Sequence, residues 1–113
     1  MAANNETATE TDSTTTPTAD PLTDLTSFQR DLLAVIAGYD EAPHGLAIKA
    51  TLEERYEGEV HHGRLYPNLD TLVTKGLVEK SQRDRRTNEY TLTSRGRREV
   101  EADHEWRAQQ LEE

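Results

Sequence analysis

The side chains with the most chemical reach in this sequence are arginines, and they are bunched. The stretch SQRDRRTNEYTLTSRGRR, residues 81–98, holds six of the ten arginines against Asp84 and Glu89, a local charge of +4 in a chain of −9. A guanidinium is always charged and presents a planar fork of donors that fits phosphate oxygens and the O6/N7 edge of guanine. A second polar group lies upstream in HHGRLYPNLD, residues 61–70. There Arg64 can donate twice to a guanine edge and Asn68 can pair with an adenine edge, while Tyr66 and His62 bring a ring and donors for phosphate. Together these groups suit the binding of a polyanion, and none of them breaks a bond.

Other chemistry finds little support. The chain has no cysteine, so thiolate reactions and disulfides are excluded. No nucleophile elbow, phosphate loop, HExxH or dinucleotide fingerprint occurs, and acidic pairs such as Glu53-Glu54 arise readily by chance among 22 acids. The expectation is that the chain is not an enzyme and carries no cofactor. Adjacent His61 and His62 point apart on a helix or a strand, with His44 and His104 far off in sequence, so no metal is expected. No apolar run reaches membrane-spanning length, and with no basic and apolar leader at the start the expected location is the cytoplasm.

The elements that must carry these residues follow from the period of the apolar positions. Residues 1–24 are Thr-rich and acidic with few large apolar side chains, which reads as a disordered tail. Thr26-Ser27-Phe28-Gln29 is a capping box, and Phe28, Leu32, Val35, Ile36 and Tyr39 continue from it as a helical stripe. A second helix is expected over about 45–56, stopped by Gly58. A third is expected over about 64–75, with Leu65, Leu69 and Leu72 inward, Pro67 in its first turn and Gly76 beyond its end. LVEKSQ and NEYTLT then alternate around a charged tip, a two-stranded hairpin. Thr93 caps a last polar helix bearing Val100, Trp106 and Leu111. Three helices, a hairpin and a further helix make a mostly α chain with a β-hairpin wing, the order of a winged helix-turn-helix. Residues 25–96 are assigned to that domain and 97–113 to a C-terminal dimerisation helix.

In a helix-turn-helix the second helix of the pair enters the major groove by its N-terminal residues. His62, Arg64, Tyr66 and Asn68 are therefore the expected recognition residues. Arg83, Arg85, Arg86 and Asn88 form the expected wing contact, where a narrow minor groove attracts arginine. Ser27, Lys49 and Arg95 are candidates for further phosphate contacts. Arg95, Arg97 and Arg98 also open the last helix, the unfavourable end of the macrodipole for cations, which suggests an external anion.

The overall charge is that of a chain built for concentrated salt: 22 acids, ten arginines and three lysines. The five acids of residues 1–26 do not account for it, since −4 remains without them. Carboxylates stay hydrated where molar salt drives association, and self-repulsion is screened within a few ångström. A high-salt cytoplasm is the expected setting, with salt ions bridging carboxylates and phosphates.

The blocks HGLAIKATLEE, GRLYPNLDTLVTKGLVEK and RRTNEYTLTSRGRREV resemble, in order and spacing, those of PadR-type winged-helix transcriptional regulators. The likeness spans about residues 26–100. It implies a homodimer joined through the last helix and reading a two-fold-related operator in double-stranded DNA. With the acidic bias it also implies a regulator tied to oxidative stress. Arg64 and Tyr66 match the start of the recognition helix, 83–88 the wing, and Val100, Trp106 and Leu111 the dimer interface. Gly45-Leu46 departs from the family's usual glycine-tyrosine. The alternative is a winged helix that contacts protein rather than DNA, since fold does not fix function.

Overall fold

The computed structural model describes residues 21–112. A 3-10 turn, Pro21–Asp24, leads into α1 (Ser27–Ala37), α2 (Gly45–Tyr56) and α3 (His62–Thr74). The antiparallel strands β1 (Val78–Asp84) and β2 (Thr87–Leu92) follow, and α4 (Ser94–Leu111) closes the chain.

Each start and stop has a local cause. α1 begins on the expected capping box: Thr26 Oγ1 accepts from the Gln29 amide at 3.1 Å, and Gln29 Oε1 accepts from the Thr26 amide at 3.1 Å. α2 is capped by a histidine, whose Nδ1 accepts from the Ala47 amide at 3.0 Å. α4 is capped by Thr93, with Oγ1 accepting from the Gly96 amide at 2.9 Å. Gly76 takes φ +79° after α3, the left-handed residue that lets the chain leave the helix toward β1.

Three expectations are corrected here. α2 ends at Tyr56 as expected, but its stop is Glu57 rather than Gly58: Glu57 adopts the left-handed conformation at φ 56° while its N–H reaches the Glu53 carbonyl. α3 starts at His62, earlier than expected, so Pro67 falls in its second turn rather than its first. The boundary at 96/97 falls inside α4, a continuous helix whose first turns pack on β2 and α1. As for the expected tail, residues 1–20 lie outside the described residues, but its last four form the 3-10 turn and Leu22 is buried in the core.

The core is a cluster of aliphatic side chains with one phenylalanine and one tyrosine. Leu32, Leu33 and Ile36 of α1 meet Ile48 and Leu52 of α2 and Leu65, Leu69 and Leu72 of α3. Leu77, Val78 and Tyr90 seal it from the hairpin side. Fully burying such a side chain is worth roughly 1.5–3 kcal/mol, so the cluster supplies the main drive for folding. Tyr39, the last residue of the expected α1 stripe, lies past the helix end, and its hydroxyl meets Thr51 and the Ala47 carbonyl instead.

The hairpin pairs Val78 with Leu92 at its root and Gln82 with Asn88 near its tip, with a bulge between Gln82 and Asp84. A short bridge between His44 and Glu89, and a Tyr90 N–H donated to the Pro43 carbonyl at 3.0 Å, tie β2 to the start of α2. At the root, Gly96 is buried, and a Cβ there would overlap the Leu77 carbonyl.

Candidate nucleic-acid interface

The turn between α2 and α3 sets how the third helix is presented. Glu53 accepts from Lys49 Nζ at 2.7 Å and from the Val60 amide at 2.9 Å, and Val60 is itself buried. The Lys49 hydrogen bond, then the Val60 amide, hold the Glu53 carboxyl below its usual range. Lys49, expected as a phosphate contact, thus has its ammonium on Glu53.

α3 buries Leu65, Leu69 and Leu72 and leaves His61, His62, Gly63 and Arg64 exposed. No side chain caps its first turn. The His62 and Tyr66 rings stack, with centroids 5.8 Å apart and planes at 11°. Tyr66 is half-buried and lies over the start of α2, so close to Gly45 that a Cβ there would stand 2.5 Å from the phenol oxygen. Gly45 therefore gives Tyr66 its seat.

Arg64 does not project freely. Its guanidinium carbon lies 4.0 Å from the centroid of the buried Phe28 ring, a cation–π contact with the first turn of α1. Asn68 is engaged at both ends: Nδ2 donates to the Arg64 carbonyl at 2.7 Å, and Oδ1 accepts from Gln29 Nε2 at 2.8 Å. Asn68 therefore keeps one N–H and one lone pair for any base edge. Phe28 and Gln29 are the residues a reading of α3 by itself overlooks. The capping box marks Gln29 as structural, and nothing in its spacing reveals its second bond.

The hairpin turn consists of Arg85 and Arg86, both exposed. Asp84 spends its carboxylate on the Arg86 backbone amide at 2.9 Å, which is the main cause that holds its pKa below the ordinary value. Arg83 pairs with Glu89 across the strands. The guanidiniums of Arg85 and Arg86 have no acidic partner among the described residues. Asn88 is exposed beside them. Lys80 on β1 pairs with Asp70 on α3 at 3.4 Å, a direct link between hairpin and helix.

Of the remaining candidates, Ser27 is exposed at the first position of α1, and Arg95 donates to the Lys75 carbonyl at 3.3 Å. Val100, Trp106 and Leu111 do not form one seam. At 3.6 residues per turn Val100 and Leu111 share a face of α4, whereas Trp106 lies about 120° around from them. Val100 packs against this chain's own core, while Trp106 and Leu111 are 55% and 85% exposed.

Three helices with a β-hairpin at the base of the third define a winged helix-turn-helix, and the arginine-tipped hairpin is its wing. A family model described as "Transcriptional regulator PadR-like family" matches residues 32–102. The chain belongs to that family, which is one of transcriptional regulators and not of enzymes. RosR of H. salinarum, solved in a complex, is 57% identical over 79% of this chain and 78% of that one, with a TM-score of 0.75. The same protein grown from NaBr is 58% identical over 78% of each chain, at a TM-score of 0.74. A mutant MarR from E. coli complexed with operator DNA is 28% identical over 76% of this chain and 58% of that one, at 0.62. No protein with a curated description matches the chain. Among the described residues no helix is long and apolar enough to cross a membrane.

Proposed function

We propose that this regulator binds double-stranded DNA sequence-specifically, as a homodimer on a two-fold-related operator. His62, Arg64, Tyr66 and Asn68 face the major groove, and Arg83, Arg85, Arg86 and Asn88 meet the backbone or an adjacent minor groove. Ser27 and Arg95 add phosphate contacts. One observation carries the reading. α3, whose first turn is exposed, is tied through Asp70 and Lys80 to a hairpin whose turn is two arginines without acidic partners among the described residues. MarR on operator DNA, a fold relative, supports it.

The dimer forms through α4, with Trp106 and Leu111 covered by the second copy, since both large apolar side chains are exposed in the single chain. The acidic composition and the likeness to RosR support a protein that works in a high-salt cytoplasm, within an oxidative-stress response. With no cysteine in the chain, any oxidant signal arrives by a route other than a thiol.

Fluorescence anisotropy tests the core of this. Wild type and an Arg83/Arg85/Arg86→Ala variant are titrated into a pool of genomic duplexes at low and at molar potassium chloride. Saturable, selective binding that the variant loses is the expected result. No binding at either salt refutes the reading and assigns the arginines to an acidic protein partner.

A further inference from the structure

We infer that the first turn of α1 is a positioning element for base recognition: Gln29 sets the polarity of the Asn68 amide, and Phe28 sets the placement of Arg64. The inference rests on the reading that α3 faces base edges, and it locates part of the selectivity on a helix outside the groove.

The argument follows a chain of three hydrogen bonds. The Thr26 backbone N–H donates to Gln29 Oε1 at 3.1 Å. A backbone N–H can only donate, so the Gln29 amide must turn its oxygen to Thr26 and its nitrogen the other way. That nitrogen donates to Asn68 Oδ1 at 2.8 Å. Asn68 must then present its own nitrogen to the Arg64 carbonyl, which it does at 2.7 Å. A carbonyl can only accept, so both ends of the relay are fixed by main-chain groups and neither amide can flip without breaking a bond at each end. An amide left free to flip reads acceptor and donor edges alike, and one held in a single sense discriminates between them. Arg64, whose backbone ends the relay, has its head group over Phe28 at 4.0 Å. The two base-reading candidates are thus both referenced to the same turn of α1.

The test uses a substitution that separates the two jobs of Gln29. In Gln29→Glu the carboxylate still accepts from Thr26, and glutamate suits a capping box as well as glutamine does. What it lacks is a donor for Asn68. Gln29→Met removes the donor without adding a charge and serves as the second variant. Each full-length variant is titrated with a duplex selected by the wild type and with a scrambled duplex. The readout is the ratio of the two affinities, because an added negative charge weakens both alike. Selectivity is expected to fall roughly tenfold in both variants, the scale of one lost base contact, with the melting temperature of Gln29→Glu unchanged. Wild-type selectivity in either folded variant overturns the inference. Asn68→Ala, run in parallel, separates the failures: if it too keeps full selectivity, the assignment of Asn68 to base reading fails as well. A wild type that selects no duplex removes the site and the inference together.

Discussion

Gly96→Ala sets two terms of opposite sign against each other. Glycine to alanine in a helix ordinarily stabilises, by up to about 1 kcal/mol. At residue 96 the new methyl meets the Leu77 carbonyl, carbon and Cα, which are backbone atoms that cannot rotate away. The Thr93 N–H is bonded to that same carbonyl at 3.1 Å, so yielding there strains the hairpin root. Overpacking of a tight site costs about 1–3 kcal/mol, and a backbone obstacle belongs at the upper end of that range. The net expectation is a loss of about 1–2 kcal/mol, or a drop of roughly 5–15 °C in melting temperature for a chain of this size. Gly63→Ala is the matched control, also in the first turn of a helix, with nothing within 4 Å of its Cβ. It should melt at or slightly above the wild type. Both are followed by circular dichroism at one protein concentration, since dimer formation makes the midpoint concentration-dependent. A Gly96→Ala variant as stable as Gly63→Ala would refute the close approach at the wing root.

Other outcomes follow from the same contacts. His44→Ala removes the cap of α2 and should cost about 1 kcal/mol in denaturant melts, while His44→Asn, a good cap, should retain most of it. Glu57→Gly relieves the left-handed backbone at φ 56° and should stabilise by up to about 1 kcal/mol. Partial burial and the bond to Asp31 push the Tyr56 phenol up to about 12. Its neutral form is favoured by the fold, so its contribution is intact below the ordinary tyrosine pKa near 10 and is lost as pH rises through 12. An ultraviolet difference titration against Tyr56→Phe should place that ionisation near 12, and a value near 10 would contradict the contact. Trp106→Glu should convert a species of twice the chain mass to a single chain in light scattering. Selective affinity should change little between moderate and molar potassium chloride, because cations taken up between carboxylates and phosphates offset the counterions that the arginines release; a steep fall would sink that expectation.

Much of the architecture could be read from the sequence because the signals were local. The Thr26–Gln29 capping box, the leucines of α3, Gly76 and the Thr93 cap each specify a backbone state by their own chemistry. What the sequence left open was decided by packing and by partners that no local pattern marks. Leu22 sits in a polar, Thr-rich segment, and only packing against α1 and α4 makes it core. Trp106 shares a helix with Val100 and Leu111 but not a face. Lys49 and Asn68 look like free donors in the sequence, yet the Glu53 carboxylate and the Arg64 carbonyl already accept from them, and Gln29 donates to the Asn68 oxygen. A sequence displays which groups can donate; the fold decides which have already done so.

The tie between β2 and the start of α2 has a consequence for how such proteins diversify. Pro43 and His44 anchor the hairpin at Glu89 and Tyr90, while every residue of β1 beyond Val78 is exposed. The footing of the hairpin is thus fixed and its far end contributes nothing to the interior. Such an arm can be lengthened, shortened or recharged at its turn without resetting the helices beneath it. Changes in the root, where Leu77, Gly96 and Tyr90 interlock, have no such freedom. Sequence drift in this lineage should therefore accumulate at the tip and stall at the hinge.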